Sequence, residues 1–465
     1  YASTYIENTS TVCLTMRAGA PLMPLRLAHL RGGAVEQAAL GTGLLESSAS
    51  LTKNIMGIGV LTLAAGMSAG TGVGPATMAM AAATLAASYL FALIGDSCEM
   101  SGLQSACTFD SLWANAFGEG STWLASTAIG SLTFCICAVY LICLGELLPP
   151  LLTLMRAPKA MRGRRAAVII AALAVFPLCL ARSLAGLSFT SYLGVSAVGY
   201  TALFSMVRCV DGSYGPGGRF YARMPVNLRA SFDGLRPWKI SGETAVLIAN
   251  LGVALCVHFN APSFYRSLTG ATSKRFSMMT HGAFALVFVL SLFISHPGYF
   301  TFGSHCQPLI LNNYHPSEDH LATAARVATA ASLCCSFPLV FAALRESCLP
   351  PITFAVRCLL PSSLSRAEVV SPAAWWAATL LLPSSALALA LAADDLGLVV
   401  GLLGSILGGF LMYVAPTAIH ARLLLRAGKK GLSLWTDALL LLYGLFGQMI
   451  CGTLITYRHA AARKL

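Results

Sequence analysis

The stretch Thr52-Lys53-Asn54-Ile55-Met56-Gly57-Ile58-Gly59 opens the first long apolar run of the chain and places two glycines inside it. Glycine weakens a helix and bares backbone N–H and C=O groups. In lipid, bare backbone is tolerated only where it is buried in protein or lines a polar cavity. Gly57 and Gly59 therefore point to a broken helix and a binding site near the membrane midplane, as secondary transporters have. A second cluster, Val257-His258-Phe259-Asn260 followed by Pro262, lies in another uncharged run. Pro262 has no N–H and leaves the carbonyl one turn earlier, on His258, without its helical partner. His258 and Asn260 are costly at membrane depth unless they face protein or water. A polar, unwound site is expected there, with both side chains facing a central cavity. The competing structural role is a proline kink with His258 hydrogen-bonded to a neighbouring helix.

The elements that must position these groups follow from composition. The chain of 465 residues is 56% hydrophobic and 10% charged, with a mean hydropathy of +0.72. Soluble domains carry about 25% charged residues, so an all-α, polytopic membrane protein is expected. A spanning helix needs roughly 20 apolar residues. The uncharged runs predict eleven helices near 47–69, 75–97, 121–147, 165–181, 186–208, 242–267, 276–302, 322–345, 371–393, 396–421 and 433–457. The first two are split at Gly70-Thr71-Gly72-Val73-Gly74-Pro75. The broken runs are the first and the sixth, five apart, and interruptions at matching places in two halves are a pointer to an inverted repeat.

Residues 1–45 read as a flexible N-terminal tail without a signal peptide, 46–457 as the transmembrane domain and 458–465 as a short C-terminal tail. Net charge is +12. With a cytoplasmic N-terminus, the basic residues after helices six, eight and ten obey the positive-inside rule. The basic stretches Arg156–Arg165 and Arg208–Lys239 run against it. The first reads as a solvated loop meeting anionic headgroups, and Asp96 and Glu146 as solvated helix ends.

Fifteen cysteines are scattered, mostly inside helices, where Cys packs as a small hydrophobe. Cys209 and Cys306 fall on one side of the membrane and are candidates to pair. No Cys/His cluster has metal-site spacing. The histidines His258, His281 and His296 are spread over two helices, and there is no Walker motif, which argues against an enzyme and against a primary pump.

Five collinear segments carry a resemblance. Asn54-Ile-Met-Gly-Ile-Gly-Val-Leu61 resembles the opening motif of the amino acid/auxin permease family, which includes the sodium-coupled neutral amino acid transporters. Val257-His-Phe-Asn260 with Phe264-Tyr265, Tyr299-Phe-Thr-Phe-Gly303, Arg326 with Ser336-Phe-Pro338 and Arg345, and Gly397 to Ser405 with Pro416 resemble later motifs of that family. The match covers about 46–457. Two departures bear on substrate choice: Leu63-Ala64-Ala65-Gly66 stands where the family has Leu-Pro-Tyr-Ala, and Val257 where it has Cys.

The resemblance implies a leucine-transporter-like fold with a five-plus-five inverted repeat, broken helices one and six, and an added eleventh helix. Substrate would lie between the broken helices at Gly57, Ile58, Gly59, Val257, His258 and Asn260, its carboxylate on N–H groups around Ile58 and Gly59. A sodium ion would take carbonyls of Ile55 and Ile58 and hydroxyls of Ser332 and Ser336, which share one helix face. The competing role of these serines is a bond back to their own helix. What is implied is secondary active transport of a neutral amino acid, driven by sodium or protons, by a monomer in the lipid bilayer of the plasma membrane or a vacuolar or lysosomal membrane. An amino-acid sensor on the same fold, signalling through a partner, is the alternative. No cofactor is expected beyond sodium as a coupling ion, and no nucleic acid as a partner.

Overall fold

The computed structural model describes residues 42–103, 106–180, 190–231, 235–359, 367–393, 395–429 and 431–462. The protein is all-α, and its β contacts among the described residues are two isolated bridges, Thr42 with Leu268 and Ser231 with Gly303. The first apolar segment is interrupted as its glycines require. Helix α1 (Leu44–Ile55) stops before Met56, a 3₁₀ turn runs Ile58–Thr62, and α2 (Leu63–Ser68) continues. Gly70, at φ 148°, makes the turn into α3 (Val73–Ser101). The short α4 (Phe109–Phe117) is held at its start by a reciprocal cap between Thr108 and Ser111.

Then come α5 (Thr122–Leu154), α6 (Arg164–Cys179) and α7 (Thr190–Val210). The second interruption divides α8 (Thr244–Ala254) from α9 (Ala261–Ser267) by a 3₁₀ turn at His258–Asn260. Helices α10 (Ser273–Phe302), α11 (His320–Leu359), α12 (Ala367–Ala392), α13 (Leu396–Arg426) and α14 (Leu432–Ala462) complete the bundle. The last two contain π-helical stretches, Gly404–Val414 and Tyr443–Gly452, that pack on each other.

Nine helices among the described residues are long and apolar enough to cross a membrane. The two remaining expected segments are the interrupted first one and α6, which has 16 residues. Helix α11 runs 14 residues past the expected end at 345, to Leu359. Of the expected tails, residues 1–41 and 463–465 lie outside the described residues, as do 186–189 of the fifth expected helix.

The interrupted segments form the centre. Helix α8 packs on the first 3₁₀ turn, on α2 and on α13. A Cβ on Gly59 would fall 2.6 Å from the Ala254 Cα, and one on Gly66 2.9 Å from the Leu247 Cα. Gly59 and Gly66 are seven residues apart, as are Leu247 and Ala254, so two turns of each helix meet along one line of backbone-to-backbone contact. Polar pairs tie α3 to α10: Ser88 Oγ lies 2.6 Å from His281 Nδ1, and Thr77 Oγ1 lies 2.8 Å from His296 Nε2.

Residues 303–319 join α10 to α11, and the 3₁₀ turn Ile310–Asn313 within them packs on α5, α11 and the first 3₁₀ turn. Arg326 is buried at the start of α11 and donates to the carbonyls of Leu311 (2.8 Å), Tyr314 (2.7 Å) and His315 (3.2 Å). Arg208, at the end of α7, donates twice to the buried Asp319 carboxylate, at 2.9 and 2.6 Å, and the Tyr214 hydroxyl donates to it at 2.8 Å.

Three expectations change here. Glu146 is not a solvated helix end, because α5 continues to Leu154 and the carboxylate accepts from Asn312 Nδ2 at 2.7 Å. Asp96 accepts from the Ser273 hydroxyl. Cys209 and Cys306 are free thiols, the latter buried against the Gly298 carbonyl.

Candidate functional site

The break after α1 opens onto a cleft. Its lining comes from four elements: Lys53, Asn54, Met56, Gly57, Ile58 and Leu61 from the interrupted segment; Tyr140 from α5; Ala197, Val198 and Thr201 from α7; and Thr329, Ser332, Leu333, Ser336, Leu339 and Val340 from α11. The lining is apolar with a few convergent polar groups, the usual character of a small-molecule site.

The backbone around the break is partly satisfied and partly free. The Met56 N–H donates to Thr52 O at 2.8 Å and the Gly57 N–H to Ile55 O at 2.7 Å. The N–H groups of Ile58 and Gly59, at the start of the 3₁₀ turn, make no hydrogen bond with a described residue. These are the orphan donors that any helix start presents, and they suit an anion.

The helix α11 face adds hydroxyls. Ser332, Ser336 and Thr329 line the cleft, and none of the three hydroxyls makes a hydrogen bond with a described residue. The competing role for the serines, bonding back to their own helix, is therefore not adopted, although Ser347 and Thr353 further along α11 do bond back. Thr201 also bonds back, to Ala197 O at 2.8 Å.

The structure brings together Gly57, Ile58, Ser332 and Ser336 and separates the others from the cleft lining. Gly59 is buried and faces α8, where it permits the contact with Ala254. Ile55 lies outside the lining, and its carbonyl already accepts from Gly57. Val257 is buried in the second interruption.

His258 is fully buried and does not face the cleft: its Nε2–H donates to the Ala87 carbonyl of α3 at 3.0 Å, and its ring stands edge-on to Phe91 at 5.6 Å. That is the structural role weighed against the functional one, a histidine docked on a neighbouring helix. Asn260 reaches the rim indirectly: its Nδ2 donates to Asn54 Oδ1 at 3.1 Å, joining the second interruption to the first.

Among the polar residues of the lining, Lys53, Asn54, Tyr140, Thr201 and Thr329 were given no role from sequence. Tyr140 sits in a helix that is apolar almost all round, and periodicity does not say which side meets the cleft. Among the described residues no group of three or more His, Cys, Asp or Glu could hold a metal ion.

The family described as "Transmembrane amino acid transporter protein" matches residues 41–458. A protein of Danio rerio named "Putative sodium-coupled neutral amino acid transporter 11" is 27% identical over 255 residues, 53% of this chain and 52% of that one. The chain thus spans about half the length of the curated relative it matches. Among solved structures, a Na+-coupled sialic acid symporter in a substrate-bound outward-open state has a TM-score of 0.46 and 13% identity, over 92% of this chain and 97% of that one.

Proposed function

The chain belongs to the transmembrane amino acid transporter family, and we propose that it moves a neutral amino acid across a membrane by alternating access, coupled to a sodium or a proton gradient. It is a multi-pass membrane protein of a transporter family, not an enzyme. The observation that carries the reading is the meeting of Gly57 and Ile58, whose N–H makes no hydrogen bond with a described residue, with the Ser332 and Ser336 hydroxyls, equally without a described partner, around one cleft at the helix break.

Each group has a role in this reading. The N–H of Ile58 receives the substrate carboxylate, in the place where a helix start favours negative charge. Gly57 leaves room beside the Tyr140 hydroxyl, which stands 3.7 Å from where a Gly57 Cβ would be. The apolar lining from Met56, Leu61, Leu333, Leu339 and Val340 suits an uncharged side chain. His258 and Asn260 position the second interruption rather than touch the substrate. The two half-helices on either side of each break are the mobile parts of a five-plus-five repeat, rocking around the fixed site. The membrane is the plasma membrane or a vacuolar or lysosomal one, and the working unit is a monomer.

Reconstituted into liposomes, the protein is expected to accumulate labelled neutral amino acids against a concentration gradient when a sodium or proton gradient is imposed. Folded protein that accumulates none of them under either gradient would rule the reading out.

A further inference from the structure

The sodium ligand set expected at this break is incomplete. A hard cation of this kind takes several oxygen ligands. Of the oxygens expected to supply them, the Ile55 carbonyl lies outside the lining and is engaged by Gly57, which leaves the hydroxyls of Ser332 and Ser336 and the Ile58 carbonyl. The same space already holds a lysine side chain. Lys53 lines the cleft, and its side chain crosses α7 at Gly194. A Cβ on Gly194 would stand 3.1 Å from Lys53 Cε and 3.3 Å from Ser332 Oγ. The lysine stem and the serine hydroxyl therefore converge on one point, and the absent side chain of Gly194 is what lets them do so.

We propose that the Lys53 ammonium is the resident cation of the site, taking the position beside Ser332 that a sodium ion would occupy, so that transport does not require sodium. This rests on the transport reading above and chooses between its two coupling ions. Lys53 is the one charged side chain among the described residues of the lining, and no carboxylate lines the cleft. Its ammonium has no hydrogen bond or ion pair with a described residue. A half-buried positive charge without a partner among the described residues repels a second cation within a few ångströms. The groups facing it are the Cys335 thiol and the serine and threonine hydroxyls of α11, the Tyr140 phenol of α5, and uncharged residues of α7. No carboxylate is among them.

Two readouts test this on the full chain. The first is uptake of tritiated alanine, glutamine and leucine into proteoliposomes with an imposed proton gradient, in sodium or in choline buffer. Wild type is expected to differ between the two by less than about two-fold, and Lys53→Arg, which keeps the charge, should show the same insensitivity to sodium whatever its absolute rate. Lys53→Asn and Lys53→Gln, which remove the charge and add an amide oxygen, are expected to bind sodium. The second readout is therefore the thermal midpoint in detergent titrated with sodium chloride against choline chloride, which detects binding without requiring transport. A saturable sodium shift is expected in at least one of the two amides and absent from wild type.

A saturable shift in wild type, or wild-type uptake that falls more than about ten-fold in choline, overturns the proposal. So does the absence of a sodium shift from both amide variants. Loss of all uptake with the thermal result intact counts against the transport reading alone.

Discussion

Gly59 and Ala254 meet backbone to backbone where the two interrupted helices cross: the Ala254 Cα and N lie 2.6 and 2.8 Å from the place of a Gly59 Cβ. Both contact atoms are main chain, so neither can swing aside. Gly57, two residues earlier, has open space around it, with nothing nearer than 3.7 Å. The two glycines of the opening motif therefore have different jobs, one in packing and one in shaping the cleft.

This separates two alanine substitutions. Gly59→Ala should cost about 1–3 kcal/mol, the usual penalty for forcing a methyl group into a well-packed core. Gly57→Ala should fold like wild type, since its φ of −94° suits any residue. Gly57→Leu should fold and lose uptake, because its side chain would fill the space below Tyr140. Thermal midpoints in detergent, read beside uptake, check all three. Equal stability of Gly59→Ala and Gly57→Ala would contradict the packing assignment.

Much of this arrangement was legible in the chain, for reasons that can be named. A glycine or proline inside an uncharged run has few uses in lipid other than an interruption, so Gly57, Gly59 and Pro262 marked both breaks. Ser332 and Ser336 were legible as a pair because four residues make one helix turn. The rotation of a side chain about a broken helix was not legible. His258 lies in a 3₁₀ turn, where the 3.6-residue period no longer applies, and its ring turns to Ala87 on α3 instead of the cleft. Lys53 was overlooked because lysine at the edge of an apolar run ordinarily reaches toward the interface, and only the gap at Gly194 shows where its stem runs.

The Ser332 and Ser336 hydroxyls hold nothing in the fold, so their removal tests function alone. Ser336→Ala should leave the thermal midpoint within about 0.5 kcal/mol of wild type. Its KM for the transported amino acid should rise about three- to ten-fold, the worth of one net hydrogen bond. Adding Ser332→Ala should raise it further. An unchanged KM in the double variant would mean that the α11 face does not touch substrate.

His258 should behave as a structural residue. His258→Phe keeps a ring against Phe91 and loses one hydrogen bond, for a cost of about 1 kcal/mol. His258→Ala also removes the ring and should cost about 3 kcal/mol through the cavity it leaves. The pH profile of uptake should keep its shape in His258→Phe, since the ring is sealed from the cleft. A displaced pH optimum in a stably folded His258→Phe protein would place His258 in the coupling machinery.

The segment that joins α10 to α11 should loosen in acid, and His315 is the cause. It lies in that segment, and its Nδ1 accepts the Glu318 N–H at 3.1 Å, which requires an unprotonated nitrogen. Burial lowers its pKa from the ordinary value of about 6.5, and the positive charges of Arg223 and Arg326 lower it further, against a smaller opposing pull from Asp319. Between the folded and unfolded values the unfolded chain binds more protons, so stability rises with pH across that window. The contribution is complete above about pH 6.5 and is lost as pH falls through the folded value. Asp211, held low despite burial by hydrogen bonds from Ser213 and Arg208 and by the charge of Arg208, loses its contribution only below the ordinary aspartate range, so the two effects do not overlap. The thermal midpoint is expected to fall between pH 7 and pH 5, and His315→Asn, which does not titrate, should flatten that slope. A slope unchanged in His315→Asn would place the acid sensitivity elsewhere.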